Sequence, residues 1–536
     1  MKTKIILLTI LIIGFFIRIY NSNYPPLTWD EASLGYNAYS IYKTSKDEYG
    51  AKLPIIFKSF GDYKPGVYVY LDVPFVAIMG LNPLSTRLPS IILGSLLPLV
   101  AFFLIKELLP KKTRIPILVA ILITFNPWNI HFSRGAWETN VLLFELTLGS
   151  YLFVKKKYLL SALIFGLSLY TYQSAKLLAF FTILSLVTIT YHQLLKIKSK
   201  LIATFIVPLI FLSIPLLIGL FINQNGNRLT VLSLFSYPRD PKQVTQIIGE
   251  SSLFDYQIFH NPPLFFAHEF IIRYFNYFSP KFLFTDGDWQ NPRHSAPYIG
   301  VLLYPTYLFF LLGLFSIPIV YKKANLFFFI WLILAPIASA ATRDQIQAVR
   351  SLPMTLPIMY FAAVGLNYVF NIIAHHNLIS KLAIVSLFGA YAFSFLYYLD
   401  LYYVHMVKRS PTDFLYGYQQ TVNFIVNHPA SQVYFSDFYG QPYIFYLYFS
   451  HYDPSHYQTQ ANLTSNSVDV GHVAQIDNIH FQGIDWQALS HKPNTLIIIS
   501  LEEMRRQNLF TNPQYSKFIP LSPIGDISIY YAYLTP

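Results

Sequence analysis

Long apolar runs separated by short polar loops fill the first four hundred residues. A membrane helix needs about 20 apolar residues, with a range of about 17–25. Runs of this kind lie at 5–20, 86–109, 115–131, 140–154, 158–172, 177–192, 201–222, 298–320, 325–342, 351–373 and 381–403. They predict about eleven transmembrane helices. Residues 66–81 are also apolar, but the run is short and has Asp72 and Pro74 in its middle. It reads as an interfacial helix on the outer leaflet. Beyond residue 403 the pattern turns polar. Gln432–Ser436 and Thr495–Ser500 read as buried strands, Leu501–Asn508 as a helix and Ile527–Tyr533 as a closing strand. The expectation is an α-helical polytopic membrane protein with a small C-terminal α/β domain. Residues 1–403 form the membrane domain, with large loops 21–85 and 223–297, and residues 404–536 form the soluble domain.

Charge gives the topology. Cations cluster at Lys111, Lys112 and Arg114, at Lys155–Lys157, at Lys196, Lys198 and Lys200, and at Lys322 and Lys323. A weaker cluster holds His375, His376 and Lys381. The positive-inside rule puts these loops in the cytoplasm. The N-terminus is then cytoplasmic, and both large loops and the C-terminal domain are extracytoplasmic. Counting 66–81 as a span breaks this alternation. Lys2 and Lys4 precede the first run, but no small-x-small cleavage pattern follows it, so residues 1–20 read as a membrane helix and not a signal peptide.

Composition agrees. Hydrophobic residues make up 54% of the 536 and charged residues only 12%, against roughly 25% charged in a soluble domain. Aromatics reach 18%, as suits rings at membrane interfaces. The net charge of +12 sits in the short loops, which excludes a nucleic-acid partner. There is no cysteine, hence no disulfide or thiolate metal site.

A transporter carries ionisable groups at mid-membrane. Here Glu145 is the main one, and it reads better as a helix–helix anchor than as a proton relay. The outer ends are richer. Trp29-Asp30-Glu31 follows the first helix. Asp30 has two readings: a partly desolvated base, or the N-cap of a helix 31–43. Asp62 and Lys64 stand in Gly61-Asp62-Tyr63-Lys64-Pro65, where Lys64 either meets a phosphate or snorkels. Other outer turns bring Arg134 and Glu138, then Tyr172, Gln173 and Lys176, then Arg343 and Arg350. Cations on this side run against the positive-inside bias, and an anionic ligand accounts for them; a surface salt-bridge network is the alternative. A divalent metal is an option through His268 and Glu269, or through His294 with Asp286 and Asp288, although neither set has a metal-ligand spacing.

The ordered set Asp30-Glu31, Lys64-Pro65 and Arg87-Leu88-Pro89-Ser90, with Arg134 and Glu138, resembles the GT-C class of membrane glycosyltransferases. The nearest groups are the protein O-mannosyltransferases and the lipid A aminoarabinose transferases. The resemblance is close over roughly the first 180 residues and topological beyond them. It implies a sugar donor linked to polyprenyl phosphate and an acceptor hydroxyl on a lipid, glycan or protein. It also implies Asp30 as catalytic base and Lys64 at the donor phosphate. Glu138 stands where the aminoarabinose transferases carry an aspartate. The expected activity is inverting sugar transfer at the extracytoplasmic face. Asp30, Glu31 and Glu138 are the catalytic candidates. Lys64, Arg134, Arg343 and Arg350 are the phosphate-binding ones, and Trp29, Asp62, Tyr172, Gln173 and Lys176 line the cavity. The rival class is a transporter or flippase of lipid-linked anions.

Overall fold

The computed structural model describes residues 2–110, 113–222, 233–236, 239–250, 252–315, 322–373, 377–464, 471–525 and 527–536. Lys111, Lys112, His375 and His376 of the cationic loops, residues 223–232 of the second outer loop and residues 316–320 of the eighth run lie outside the described residues. The chain divides into two units. The first takes Met1–Arg18, Ile92–Ser133 and Glu138–Tyr402; the second takes Ile19–Ile91, Arg134–Trp137 and Tyr403–Pro536.

The first unit is helical. Among the described residues, 6 helices of the chain are long and apolar enough to cross a membrane, or 7 if the bent pair Ile115–Phe125 and Pro127–Arg134 is one span. This falls short of the expected eleven for two physical reasons. Two apolar runs end early as helices, Glu138–Val154 with 17 residues and Tyr158–Ser168 with 11, while the Tyr304–Phe315 helix of 12 residues borders residues outside the described ones. The first helix, α1 (Lys2–Ile19), carries Lys2, Lys4 and Arg18 within its 18 residues. Arg18 is buried, and its guanidinium donates to the carbonyls of Gly14 (3.0 Å) and Thr124 (3.4 Å). Glu145 accepts from the Thr171 hydroxyl at 2.9 Å, a bond from one helix to the end of the next, as an anchor should.

Packing in this unit uses small residues, as membrane helices do where backbones approach closely. A Cβ added to Gly313 would stand 1.8 Å from the Phe361 carbonyl oxygen, and one added to Gly365 would stand 2.2 Å from that of Phe309. The Tyr304–Phe315 and Thr355–Ile373 helices therefore meet backbone to backbone. Gly313→Val is expected to cost about 1–3 kcal/mol or more, because the obstructing atom is main chain and cannot swing away. A thermal unfolding scan of the purified protein in detergent checks this; an unchanged midpoint would refute the close crossing.

The second unit begins with α2 (Trp29–Thr44), a hairpin of β1 (Ile56–Ser59) and β2 (Asp62–Pro65), and α3 (Val67–Met79). At 1.5 Å per residue, α3 reaches only about 20 Å, too short for a core of about 30 Å. Asp72 on α3 is fully buried, and neither of its oxygens has a hydrogen-bond partner among the described residues. Burial pushes its carboxyl well above the usual range, which favours the neutral form. Residues 432–534 supply a six-stranded sheet, in the order Gln475–Ile476, Ile479–Phe481, Gln432–Phe435, Thr495–Ser500, Tyr530–Leu534, Ile519–Pro520. Gln432–Phe435 runs parallel to both its neighbours, and Tyr530–Leu534 runs antiparallel to Thr495–Ser500. All six residues of Thr495–Ser500 are buried, as expected of an unbroken apolar strand covered on both faces.

Candidate active site

The site in the second unit is built around the first turn of α2. Thr28 is the N-cap, and Thr28-Trp29-Asp30-Glu31 forms a capping box in which the Glu31 carboxylate reaches back to the Thr28 backbone. The helix therefore starts two residues earlier than the sequence suggests, and Asp30 is not its cap. Thr28 does the capping and leaves the Asp30 carboxylate for other work. Both carboxylates sit where unpaired backbone N–H groups favour negative charge.

Glu31 is almost fully buried. One of its oxygens accepts from Arg87 Nε at 2.7 Å and from the Ala136 backbone N–H at 2.8 Å. The other accepts from Arg87 Nη2 at 2.8 Å and Thr28 N at 3.0 Å. Arg87 is fully buried and also donates to the carbonyls of Ser22 (2.6 Å) and Pro25 (3.0 Å). The loop before α2 is gripped again by Arg134, whose Nη2 donates to the carbonyls of Asn21 (3.1 Å) and Tyr24 (3.2 Å) and whose guanidinium lies over the Tyr403 ring. Two buried arginines thus fix the approach to Asp30.

Asp30 is partly exposed and forms an ion pair with Lys64, which is largely buried. Lys64 comes from β2, opposite Phe57 of β1, and its ammonium sits over the Phe60 ring at 5.3 Å. Phe60 (φ +53°) and Gly61 (φ +87°) make the hairpin turn, and Asp62 opens β2 opposite Ser59. The hairpin is fastened to α2 by the Ser33 and Ser59 hydroxyls, 3.0 Å apart. Trp29 packs on the hairpin tip, with ring centroids 6.4 Å apart from Phe60. On another side it meets Gly440, which has φ +142° and where an added Cβ would lie 2.3 Å from the indole. Gly440→Ala is thus opposed by both the backbone conformation and the Trp29 ring. The expected cost is about 1–3 kcal/mol, read as a fall in the melting midpoint; a variant as stable as wild type would refute the contact.

The structure brings Trp29, Asp30, Glu31, Lys64 and Arg134 together around α2. The remaining candidates belong to the helical unit. Glu138 opens the Glu138–Val154 helix. Lys176 donates to the Gln173 side chain at 3.0 Å, and the Tyr172 carbonyl accepts from Ala175. Arg350 donates to Asp344 at 2.9 Å and to Thr342 at 2.9 Å, beside Arg343. Arg87 is the residue whose role the sequence reading missed: it appeared only within a motif, and its partner lies 56 residues away.

Among the described residues no group of three or more His, Cys, Asp or Glu is placed to hold a metal ion. Asp288 spends its oxygens on His294 (2.9 Å), the Ala348 N–H (2.9 Å) and the N–H groups of Gln290 and Asn291. Glu269 pairs with Arg273 one helical turn on.

The fold, and a family match over part of the chain, liken this protein to membrane glycosyltransferases of the GT-C type. Residues 8–226 match the family model described as dolichyl-phosphate-mannose-protein mannosyltransferase. Two solved structures of ArnT from Cupriavidus metallidurans, one bound to undecaprenyl phosphate and one in the apo state, share the fold. Each has a TM-score of 0.54 and 10% sequence identity, covering 99% of this chain and 97% of that one. A sequence comparison with curated proteins finds no match.

Proposed function

We propose that this protein transfers a sugar from a polyprenyl-phosphate carrier to an acceptor hydroxyl at the extracytoplasmic face, with Asp30 as general base. The observation that carries this reading is the pairing of Asp30 with Lys64, a carboxylate and a cation delivered to one place by two elements. The undecaprenyl phosphate bound to the Cupriavidus enzyme supports a carrier of the same chemistry. Lys64 takes the donor phosphate, and Asp30 faces the acceptor. As the acceptor oxygen attacks the anomeric carbon, its proton passes to Asp30. The new C–O bond forms while the bond to the phosphate oxygen breaks, through an oxocarbenium-like transition state. The polyprenyl phosphate leaves with its added negative charge beside Lys64. A single displacement inverts the anomeric centre.

Glu31 has a positioning role in this scheme, since its oxygens already serve Arg87, Thr28 and Ala136. Glu138 is a second carboxylate for the acceptor, and Arg343 and Arg350 are further cations for the donor. The N-terminus is cytoplasmic, and residues 404–536 form an outer domain that takes part in acceptor selection. The test is transfer of radiolabelled sugar from a panel of polyprenyl-phosphate monosaccharides in membranes containing the protein. Label reaching a lipid, glycan or protein supports the reading; no transfer from any donor, with folded protein and acceptors present, refutes it.

A further inference from the structure

Another buried carboxylate stands in the stretch that leads into the hairpin carrying Lys64. Glu48, in the loop between α2 and β1, is fully buried. It exchanges two hydrogen bonds with Asn37 of α2: Asn37 Nδ2 donates to Glu48 Oε1 at 3.0 Å, and the Glu48 N–H donates to Asn37 Oδ1 at 3.0 Å. Asn37 also donates to the Ser33 carbonyl at 2.9 Å. Ser33 is the residue whose hydroxyl meets Ser59 of the hairpin. Glu48 thus anchors the chain of contacts that holds the hairpin on α2. Its other oxygen, Oε2, is buried with no hydrogen-bond partner among the described residues. An ionised carboxylate in that state would be poorly solvated, whereas a protonated one is tolerated.

We propose that Glu48 is a positioning residue for Lys64, acting as the neutral acid. Protonated, it leaves the Lys64 ammonium to the donor phosphate; ionised, it draws that ammonium inward and repels the phosphate. The inference rests on the reading of Lys64 as the donor-phosphate contact.

The groups facing Glu48 are known from every side. Asp47 and Tyr49 flank it, Tyr36 lies on α2, Lys58 and Lys64 act from the hairpin, and Tyr443 and Tyr457 come from the helices Pro442–Phe449 and Pro454–Gln460. Burial pushes the Glu48 carboxyl up to about 8, against smaller lowering effects from Asn37 and the two lysines. The four tyrosines are all raised by burial, away from neutrality. Phosphate monoesters ordinarily titrate near 6, outside the window around pH 8.

The experiment measures binding of undecaprenyl phosphate to the purified full-length protein as pH rises from 7 to 9, for wild type and Glu48→Gln. Wild-type affinity is expected to fall by about tenfold, in line with loss of one required proton. Glu48→Gln, which keeps the shape and the Asn37 bonds, should bind as wild type does at pH 7 and lose the fall. Infrared spectra without ligand give a second readout: a protonated carboxyl band at pH 7 that disappears in Glu48→Gln. An equal fall in both proteins, or spectra at pH 7 that lack that difference, overturns the proposal. Absence of binding at every pH, with the infrared band present, strikes the donor reading instead and takes the Lys64 role with it.

Discussion

Asp30→Asn is expected to lower the rate of sugar transfer by about 10²–10⁴-fold, the usual contribution of a positioned general base. The loss should fall on kcat and spare the KM for the donor. Asparagine keeps the size of the side chain but takes no proton from the acceptor. It also frees Lys64 from its ion pair, so the donor phosphate meets a cation with one competitor fewer and binds at least as well. Glu31 cannot step in, because its two oxygens are held by Arg87, Thr28 and Ala136 in a buried pocket. Steady-state kinetics with a labelled donor separate the two constants. A variant that retains wild-type kcat would remove Asp30 from the chemistry, and one that loses only donor affinity would make it a binding residue.

The second large effect is expected at Arg87. Arg87→Met leaves the Glu31 carboxylate buried without its counter-charge, a change that typically costs about 3–5 kcal/mol. The loop carbonyls of Ser22 and Pro25 lose their donor in the same stroke. Arg87→Lys should not repair the damage, because a single ammonium cannot reproduce a fork that grips both carboxylate oxygens. The double variant Arg87→Met with Glu31→Gln removes both charges and is expected to be less destabilised than the sum of the two single changes. Thermal unfolding of the four proteins in one detergent reads the coupling. Strict additivity would mean that the pair contributes nothing beyond its separate members.

How much of this was legible depended on the range of the interaction. The Thr495–Ser500 strand declared itself as an unbroken apolar run, and the structure buries all of it. A short helix was legible too: the apolar run around Asp72 and Pro74 folds as α3, only 13 residues long. The start of α2 lies ahead of the expected one although its signature is in the sequence: Thr28 followed three residues later by Glu31 is a capping box, and Asp30 between them is itself a good N-cap residue. Among the described residues fewer helices than expected reach the crossing length, because apolar character persists past the ends of helices, as at Tyr158–Ser168. The grip of Arg87 on Glu31, and of Arg134 on the loop before α2, joins residues 56 and 110 or more positions apart. No local pattern encodes such pairs. A buried arginine and an outward-facing arginine look alike in sequence.

The contact between Trp29 and Gly440 also bears on biosynthesis. The ribosome delivers Trp29 and Asp30 almost at once, but Gly440 follows roughly four hundred residues later, about 20–80 s at ordinary elongation rates. The strand Tyr530–Leu534, which pairs with Thr495–Ser500, arrives later still. During that interval the nascent chain inserts its hydrophobic helices one by one while the first turn of α2 waits for its neighbour. A chain terminated early would hold every membrane-crossing helix and still lack the surface on which the indole rests. Synthesis as far as Gly440 is therefore needed before the first turn of α2 has its neighbour, and late residues govern the setting of early ones.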